Sequence, residues 1–367
     1  MLWKLFRACL IKKGVISMQQ PTYDEQITMK NEMKLRELCA GLPAFCKEFF
    51  RGIEPTTSSR TRIAYAYDLK IFFHFLQEKY PDIEESDLKN WPVTVLDKVT
   101  LTQLEEYLDY LRLYEDAENK VHTNEERGRM RKTASIRTFY KFFYRKQVIK
   151  NNTASLLNLP KKHEHAIVRL EIDEIAKLLD AVEEGDNLTK SQKKYHNKTK
   201  IRDLAILTLL LGTGIRVSEC VGIDISNLDF ETNGMKIHRK GGADVILYFG
   251  EEVREALLDY LEEREKIIPK EGSEDALFLS MQKRRISVRA VENLVKKYAR
   301  PVTPLKTITP HKLRSTYGTQ LYQETGDIYL VADVLGHKDV NTTRKHYAAM
   351  EDQRRRMAAG KVQLREK

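Results

Sequence analysis

The sequence predicts a mainly α-helical protein with one small antiparallel sheet. Three observations predict this fold: apolar side chains recur at helical spacing over much of the chain, capping residues precede several of these runs, and three short strand-like runs follow one another between residues 227 and 249. The chain has 367 residues, of which 41% are hydrophobic. We therefore expect two or three domains, each with a core of its own.

Residues 1–41 are interpreted as an N-terminal extension or arm, with a short helix or a mobile segment over 19–41. The first residues resemble a signal peptide faintly, but lysines and arginines interrupt the apolar run and no cleavage site follows. Met18 is an alternative start, and the sequence leaves open whether translation begins there or at Met1. No apolar run reaches about 18 residues, so we expect no membrane span and a cytoplasmic protein.

Residues 42–157 predict an all-α domain, in which packing begins at Leu42. A first helix begins at the capping residues of TSSRT, places Ile63, Tyr67, Ile71 and Phe75 at four-residue spacing, and ends at Pro81. A second helix is predicted over Leu101–Leu113 and a third over Thr133–Arg145. The third helix turns four side chains inward in this interpretation: Ile136, Phe139, Tyr140 and Phe143.

Residues 158–166 are polar, contain a proline and predict a linker between domains. The domain after it, 167–350, is expected to be mostly α, with a surface loop over 184–199. Its strands are predicted at Asn227–Phe230, Met235–Arg239 and Val245–Phe249, with the pair Gly241-Gly242 as a hairpin signal. Its helices are predicted at Asp173–Glu183, Ile201–Leu211, Glu251–Arg264, Ser287–Tyr298, Pro310–Gln323, Ile328–Leu335 and Asn341–Tyr347.

The charge balance indicates a polyanionic partner. The net charge is +10 and the pI is about 9.2, and lysine and arginine bind nucleic acid by displacing its counterions. The third helix and its approach are strongly basic, with no acidic residue between Thr133 and Ile149. We predict that DNA is contacted by Arg60, Arg62, Arg129, Arg131, Lys132, Arg137 and Lys141.

The second domain contains five cationic or imidazole side chains that suit a phosphate gaining negative charge. Arg216 follows the bend Gly212-Thr213-Gly214, with Glu219 placed to orient it. His311 and Arg314 share one face of a helix. Lys240 stands at the predicted hairpin tip and His337 follows Gly336. Preformed donors of this kind stabilise a five-coordinate phosphorus, and arginine offers two parallel hydrogen bonds.

Tyr347 supplies a phenolic oxygen that can attack phosphorus once its anion is stabilised. Taken one at a time, each of these residues has an ordinary structural alternative, such as a surface arginine or a hairpin lysine. Together with Tyr347, the set needs neither a metal nor a cofactor to cut DNA. The four cysteines form no CxxC pair, so we expect neither a zinc site nor a disulfide framework.

The segments TGIRVSE, RKGG, HKLR and LGHKDVNTTRKHY, in this order, resemble the conserved boxes of the tyrosine recombinase family, the phage integrases and Xer-type recombinases. TSSRTRIAYAYDLKIFFHFL resembles the family's helical, SAM-like core-binding domain. The resemblance covers residues 42–350. It implies a C-shaped clamp in which a core-binding domain and a tyrosine-recombinase catalytic domain grip double-stranded DNA.

The resemblance implies a role for each residue of the set. Arg216 and Arg314 would clamp the scissile phosphate, and His311 and His337 would bond its oxygens. Lys240 would protonate the leaving 5′-hydroxyl, and Tyr347 would form a 3′-phosphotyrosine link. Four protomers, or this chain with a related recombinase, would act on two sites, and the tail 351–367 would dock on a neighbouring protomer or remain a solvated basic tail.

Two positions depart from the family pattern. Tyr347 lies ten residues after His337, one more than in many members, so that His346 occupies the more frequent nucleophile position. Ala243-Asp244 stand where a second basic residue often follows the glycines.

Three other functions are open to such a chain: a metal-dependent nuclease or transposase, a tyrosine topoisomerase and a non-catalytic DNA-binding protein on the same scaffold. The first would need a carboxylate cluster such as DxD beside the basic set, and the sequence shows none there. The sequence leaves open the DNA site, any partner recombinase or accessory protein, and whether the task is integration, excision, inversion or dimer resolution.

Overall fold

The computed structural model describes residues 22–116, 119–158, 168–186, 188–239, 243–337 and 340. The chain divides into two compact units, Met1–Glu164 and His165–Lys367. The boundary between the units falls inside the predicted linker, of which 159–166 lies outside the described residues.

The first unit is a helical bundle with one small hairpin. Its helices and strands are α1 Tyr23–Cys39, α2 Cys46–Ile53, α3 Ser59–Lys79, α4 Val95–Lys98, α5 Leu101–Tyr110, β1 Leu113–Glu115, β2 Val121–Thr123 and α6 Glu126–Arg145.

Helices α1, α3 and α5 of this unit begin at polar caps. The hydroxyl of Ser58 accepts the N–H of Thr61 at the start of α3, and Thr100 forms a reciprocal capping box with Gln103 at the start of α5. Such caps contribute about 1 kcal/mol each because they pair otherwise orphaned N–H groups. The core between the helices is aromatic, with the rings of Phe49 and Phe139 edge to face at 4.9 Å.

The third predicted helix, α6, buries Ile136, Phe139, Tyr140 and Phe143 as expected. It begins at Glu126, seven residues earlier than predicted.

Two expectations for this unit were wrong. The sequence suggested no strand here, yet α5 ends at Tyr110 and an antiparallel hairpin pairs Leu113 with Thr123. The expectation that packing begins at Leu42 fails because α1 already buries Leu35 and Cys39. Tyr67 is 45% exposed, because the buried face of α3 runs through Ala66, Leu69, Phe72 and Phe73 instead.

The second unit is mostly helical around a three-stranded sheet. Its elements are α7 Ile172–Glu184, α8 Lys190–Thr213, α9 Val217–Gly222, β3 Leu228–Asp229, β4 Gly234–His238, β5 Asp244–Tyr248, α10 Glu251–Glu265, α11 Val288–Val302, α12 Pro310–Thr325 and α13 Ile328–Leu335.

Helix α8 lies at the centre of this unit, with every side chain from Ala205 to Leu210 buried. The predicted surface loop over 184–199 is wrong from Lys190 onward, because α8 begins at Lys190. A capping box between Thr189 and Gln192 starts the helix there, and His196 and Thr199 are buried polar residues on its first turns. Their polar composition suggested a solvated loop, but these groups are buried and paired inside the unit.

The strands pair antiparallel in the order β3-β4-β5. Gly234 lies opposite Tyr248 and His238 lies opposite Asp244, so β4 and β5 form the predicted hairpin. Its turn, 240–242, lies outside the described residues, as does the helix predicted at Asn341–Tyr347. Among the described residues, none of the helices is long and apolar enough to cross a membrane.

Candidate active site

A glycine bend places Arg216 at the start of α9. Helix α8 ends at Thr213 and is capped by Gly214, whose φ of +61° is a left-handed conformation that favours glycine. A Cβ at this position would stand 2.4 Å from the Tyr317 ring and 2.9 Å from Leu335, so the bend also requires a residue without a side chain. The sequence pattern of apolar helix, glycine bend and arginine is therefore present as predicted.

Arg216 is held on both sides of its guanidinium. Its Nη1 donates to Oε1 of Glu219 at 2.7 Å, and the other carboxylate oxygen of Glu219 accepts the Arg216 backbone N–H at 3.0 Å. Nη2 donates to the carbonyl of Gly336 at 2.9 Å. The Glu219 side chain is 5% exposed and that of Arg216 is 32% exposed, so a buried carboxylate orients a guanidinium that solvent can still reach.

Arg314 lies one helical turn after His311 near the start of α12. Pro310 occupies the first turn, and Thr309 is the N-cap residue, although its hydroxyl makes no capping hydrogen bond. Arg314 is buried: its Nη1 donates to the carbonyl of Gly214 at 2.6 Å, and its Nη2 donates to the carbonyl of Leu335. His311 is exposed on the same face of the helix.

The carboxyl end of α13 is where these side chains meet. Helix α13 ends at Leu335 and is capped by Gly336, whose φ is +60°, and the N–H of His337 donates back to the carbonyl of Ala332 at 2.9 Å. The carbonyls of Leu335 and Gly336, on consecutive residues, accept from Arg314 and Arg216 respectively. The two arginines are thereby brought to one turn, and the next residue along the chain is His337.

A third guanidinium binds the same helix end. Nη1 of Arg239 donates to the carbonyl of Asp333 at 3.0 Å, and Nη2 donates to that of Val334 at 2.7 Å. Four consecutive carbonyls, from Asp333 to Gly336, thus accept from three arginines. The carboxyl end of a helix carries partial negative charge, and cations there are stabilising.

The base of the β4–β5 hairpin carries a small ionic cluster. The carboxylate of Asp244 lies 2.7 Å from Lys236 Nζ and 2.7 Å from His238 Nδ1. These hydrogen bonds lower the pKa of Asp244 below its ordinary value. Asp244, which stands where the family often has a second basic residue, is therefore paired with two residues of the neighbouring strand.

The structure brings Arg216, Arg314 and His337 to one turn and places His311 on the same helix as Arg314. Lys240 and Tyr347 lie outside the described residues. The catalytic roles of all six remain predictions. The sequence did not indicate that Arg239 binds the end of α13, because no spacing pattern relates residues so far apart in the chain.

The seven predicted DNA-binding residues differ in their surroundings. Arg60 and Lys141 are exposed, whereas Arg62 and Lys132 are buried, the former bonded to Glu32 and the latter to Asn124. The other three are at least partly exposed, and two of them have protein partners: Arg131 binds Asp68, Arg137 binds the Leu157 carbonyl, and Arg129 completes the set. Their contact with DNA stays a prediction.

Across the described part of the chain, no three or more His, Cys, Asp or Glu side chains form a group that could hold a metal ion.

Residues 168–354 match the phage integrase family. The chain is 34% identical over 318 residues to the tyrosine recombinase XerC of Caldanaerobacter subterraneus subsp. tengcongensis, covering 84% of this chain and 82% of that protein. It is 29% identical over 296 residues to the tyrosine recombinase XerD of Oceanobacillus iheyensis, covering 80% of this chain and 89% of that protein.

Two solved structures have a similar fold. One is the XerH site-specific recombinase bound to a palindromic difH substrate, with a TM-score of 0.60, 17% identity and coverage of 94% of this chain and 98% of that one. The other is a lambda integrase dimer bound to a core site, with a TM-score of 0.56, 16% identity and coverage of 82% and 93%. The arginine pair, the order of the sequence boxes and these matches lead to one conclusion: the chain belongs to the tyrosine recombinase family.

Proposed function

We propose that this chain cuts and rejoins double-stranded DNA at specific sites through a 3′-phosphotyrosine intermediate, as a tyrosine site-specific recombinase acting in the cytoplasm. The observation that carries the proposal is the arginine pair on consecutive carbonyls at the end of α13. Arg216 immediately precedes α9 and Arg314 lies in α12, and each guanidinium donates one hydrogen bond to the Leu335–Gly336 turn. Arginines held in this way are preorganised for a phosphate that gains charge in the transition state.

The chemistry conserves the energy of the phosphodiester bond. Tyr347 gives up its phenolic proton to a neighbouring histidine or to water as its oxygen attacks phosphorus, the bond to the 5′-oxygen breaks, and that oxygen takes up a proton to leave as a hydroxyl. Rejoining reverses these steps with a 5′-hydroxyl from another strand. No bond to a metal ion and no nucleotide hydrolysis is needed for this exchange.

The nucleophile assignment is tested with a nicked duplex library that carries a randomised central segment. The nick lets the short cleaved strand diffuse away, so a covalent protein–DNA adduct accumulates and survives denaturation. We expect the adduct with the wild-type chain in the presence of EDTA, its loss in Tyr347→Phe, and its persistence in the matched control His346→Ala. Loss of the adduct in His346→Ala but not in Tyr347→Phe would reassign the nucleophile. Strand cleavage that requires Mg²⁺ and leaves no adduct would indicate a metal-dependent nuclease.

We further propose that Lys240 is the general acid for the leaving 5′-oxygen. Its neighbours support the choice, because Lys236 is paired with Asp244 and Arg239 is bonded to the carbonyls of α13. A 5′-bridging sulfur leaves without being protonated, so it should restore cleavage to Lys240→Ala. Lys236→Ala is the matched control and should cleave the ordinary substrate normally; equal defects of Lys240→Ala on both substrates would exclude the acid role.

The assembly that we propose is a tetramer on two DNA sites, in which the tail 351–367 docks on a neighbouring protomer. A groove of about 320 Å³ in the second unit is a candidate binding site for the tail. Its apolar lining includes Ile172, Leu179 and Leu321, and its polar residues include Glu252 and Glu324. The tail combines apolar Met357, Val362 and Leu364 with six basic residues, which complements that groove in polarity and charge.

Removing residues 351–367 tests this assembly. We expect the shortened chain to bind a single DNA site normally but to form fewer complexes that contain two sites. The point variant Leu321→Glu, on the groove side, should give the same split. Equal loss of single-site and paired-site binding in the shortened chain would exclude the docking role.

A further inference from the structure

We propose that Arg239 is a positioning residue for the active site, which holds the Gly336–His337 turn and through it the guanidinium of Arg216. The inference rests on the proposed function of that site. Arg239 follows directly after β4, whereas the carbonyls it binds belong to the last turn of α13, 94 and 95 residues later in the chain. Its two hydrogen bonds therefore join the sheet to the active-site helix.

The contact with Gly336 is close enough to restrict that residue. A Cβ built at Gly336 would stand 2.4 Å from Nη1 of Arg239 and 2.6 Å from its Cζ. Gly336 therefore does two things: it adopts a φ of +60°, and it leaves room for the guanidinium to lie against the turn. A side chain there would have to displace Arg239.

The turn is thereby held from two directions. Arg239 binds the carbonyls of Asp333 and Val334, while Arg216 binds the next but one, that of Gly336. Without Arg239, the last turn of α13 loses two charge-assisted hydrogen bonds and its contact across Gly336. The Gly336 carbonyl can then move, and Arg216 loses a fixed partner beside the scissile phosphate.

The first experiment measures adduct formation at saturating DNA, using a nicked duplex selected with the wild-type chain. Arg239→Ala should form the adduct about 10- to 100-fold more slowly, which corresponds to the loss of about one hydrogen bond to a charged group. Arg239→Lys, which keeps the charge without the planar fork, should fall between. Arg264→Ala is the matched control, because Arg264 binds the carbonyls of Glu274 and Ala276 away from this turn.

A double-mutant cycle and a neutral substrate separate positioning from general loss of structure. If Arg239 acts through Arg216, the penalty of Arg239→Ala should nearly vanish in an Arg216→Ala background. It should also shrink on a duplex with an uncharged methylphosphonate at the scissile position, where less charge needs to be stabilised. Additive penalties, or equal penalties on both substrates, would overturn the inference.

The outcomes also separate this inference from the proposed function. A wild-type chain that forms no adduct contradicts the function itself. A wild-type chain that forms the adduct, together with an Arg239→Ala variant that folds and cleaves equally fast, contradicts only the positioning role. If thermal melting shows that Arg239→Ala is not folded, Arg239→Lys supplies the comparison.

Discussion

The carboxylate of Glu219 bonds both the guanidinium and the backbone N–H of Arg216, at 2.7 and 3.0 Å, from a position that is almost completely buried. Each bond restricts a different part of the arginine: one fixes the end of the side chain and the other fixes the backbone from which it starts. The arginine is thus oriented before any phosphate arrives, and its partner on the other side is the carbonyl of Gly336.

We predict that Glu219→Gln slows cleavage by about 10- to 100-fold while DNA binding changes little. The amide keeps the shape but loses the charge-assisted bond to Arg216, which is worth about 1.5–3 kcal/mol. Single-turnover adduct formation and a filter-binding titration measure the two quantities. Glu292→Gln, at an exposed ion pair with Arg289, is the matched control and should leave both unchanged. A variant that cleaves at the wild-type rate would show that Arg216 needs no orienting carboxylate.

We predict that Gly214→Ala destabilises the protein by about 2–4 kcal/mol. The new Cβ meets a left-handed backbone and collides with Tyr317 and Leu335, and both strained conformation and overpacking carry a cost. Gly272→Ala separates the two causes, because its φ is +78° and a Cβ there has no neighbour within 4 Å. Denaturant unfolding should show a smaller loss for Gly272→Ala, of about 1 kcal/mol. Equal losses of unfolding free energy in the two variants would mean that Tyr317 and Leu335 move aside for the new Cβ at little cost.

We predict that Arg131→Ala destabilises the first unit by about 2–4 kcal/mol, because it leaves the buried carboxylate of Asp68 without its guanidinium partner. Asp68 is fully buried and accepts from Nη2 of Arg131 at 2.7 Å, and burial raises its pKa despite that partner. Arg127→Ala, on an exposed side chain of the same helix, is the matched control for thermal unfolding.

The same variant tests the DNA contact predicted for Arg131. If Arg131 also binds a phosphate, Arg131→Ala should reduce the salt dependence of DNA binding by about one phosphate contact. An unchanged salt slope, together with lowered stability, would assign Arg131 to the fold alone.

We predict that His196 makes the protein less stable as the pH falls below about 6.5, the ordinary value for histidine. Burial, with help from nearby Lys297, lowers the pKa of His196, although Asp203 acts in the opposite direction. The unfolded chain therefore binds the proton more readily than the folded one, so acidification through this range favours unfolding, and the effect levels off below the folded pKa.

Unfolding free energies of the wild type and His196→Gln, measured across that pH range, isolate the histidine from other titrating groups. The variant should be less stable at neutral pH, because the ring lies 3.2 Å from the Tyr298 hydroxyl, but its stability should vary less with pH. Parallel curves for the two proteins would show that His196 titrates alike in both states.

The sequence predicted most helices of the second unit closely, because their apolar periodicity and caps are local signals. Helix α13 begins and ends where expected, and α12 begins at the predicted Pro310. Local signals failed where polar residues are buried, because a polar composition was taken to indicate a solvated loop. Polar residues such as His196 and Thr199 suggested a loop, but they are paired inside the unit on α8.

The candidate site shows the same division. The sequence by itself determined the local features of the site, because the glycine bends, the helix caps and the order of the boxes depend on neighbouring residues along the chain, and from them it predicted which residues belong together. Only the tertiary structure decided how they are held: that Arg314 and Arg216 bind consecutive carbonyls, and that Arg239 reaches the same helix end from the sheet. These contacts join carbonyls that every residue has, so no side-chain pattern marks them until folding brings the partners together.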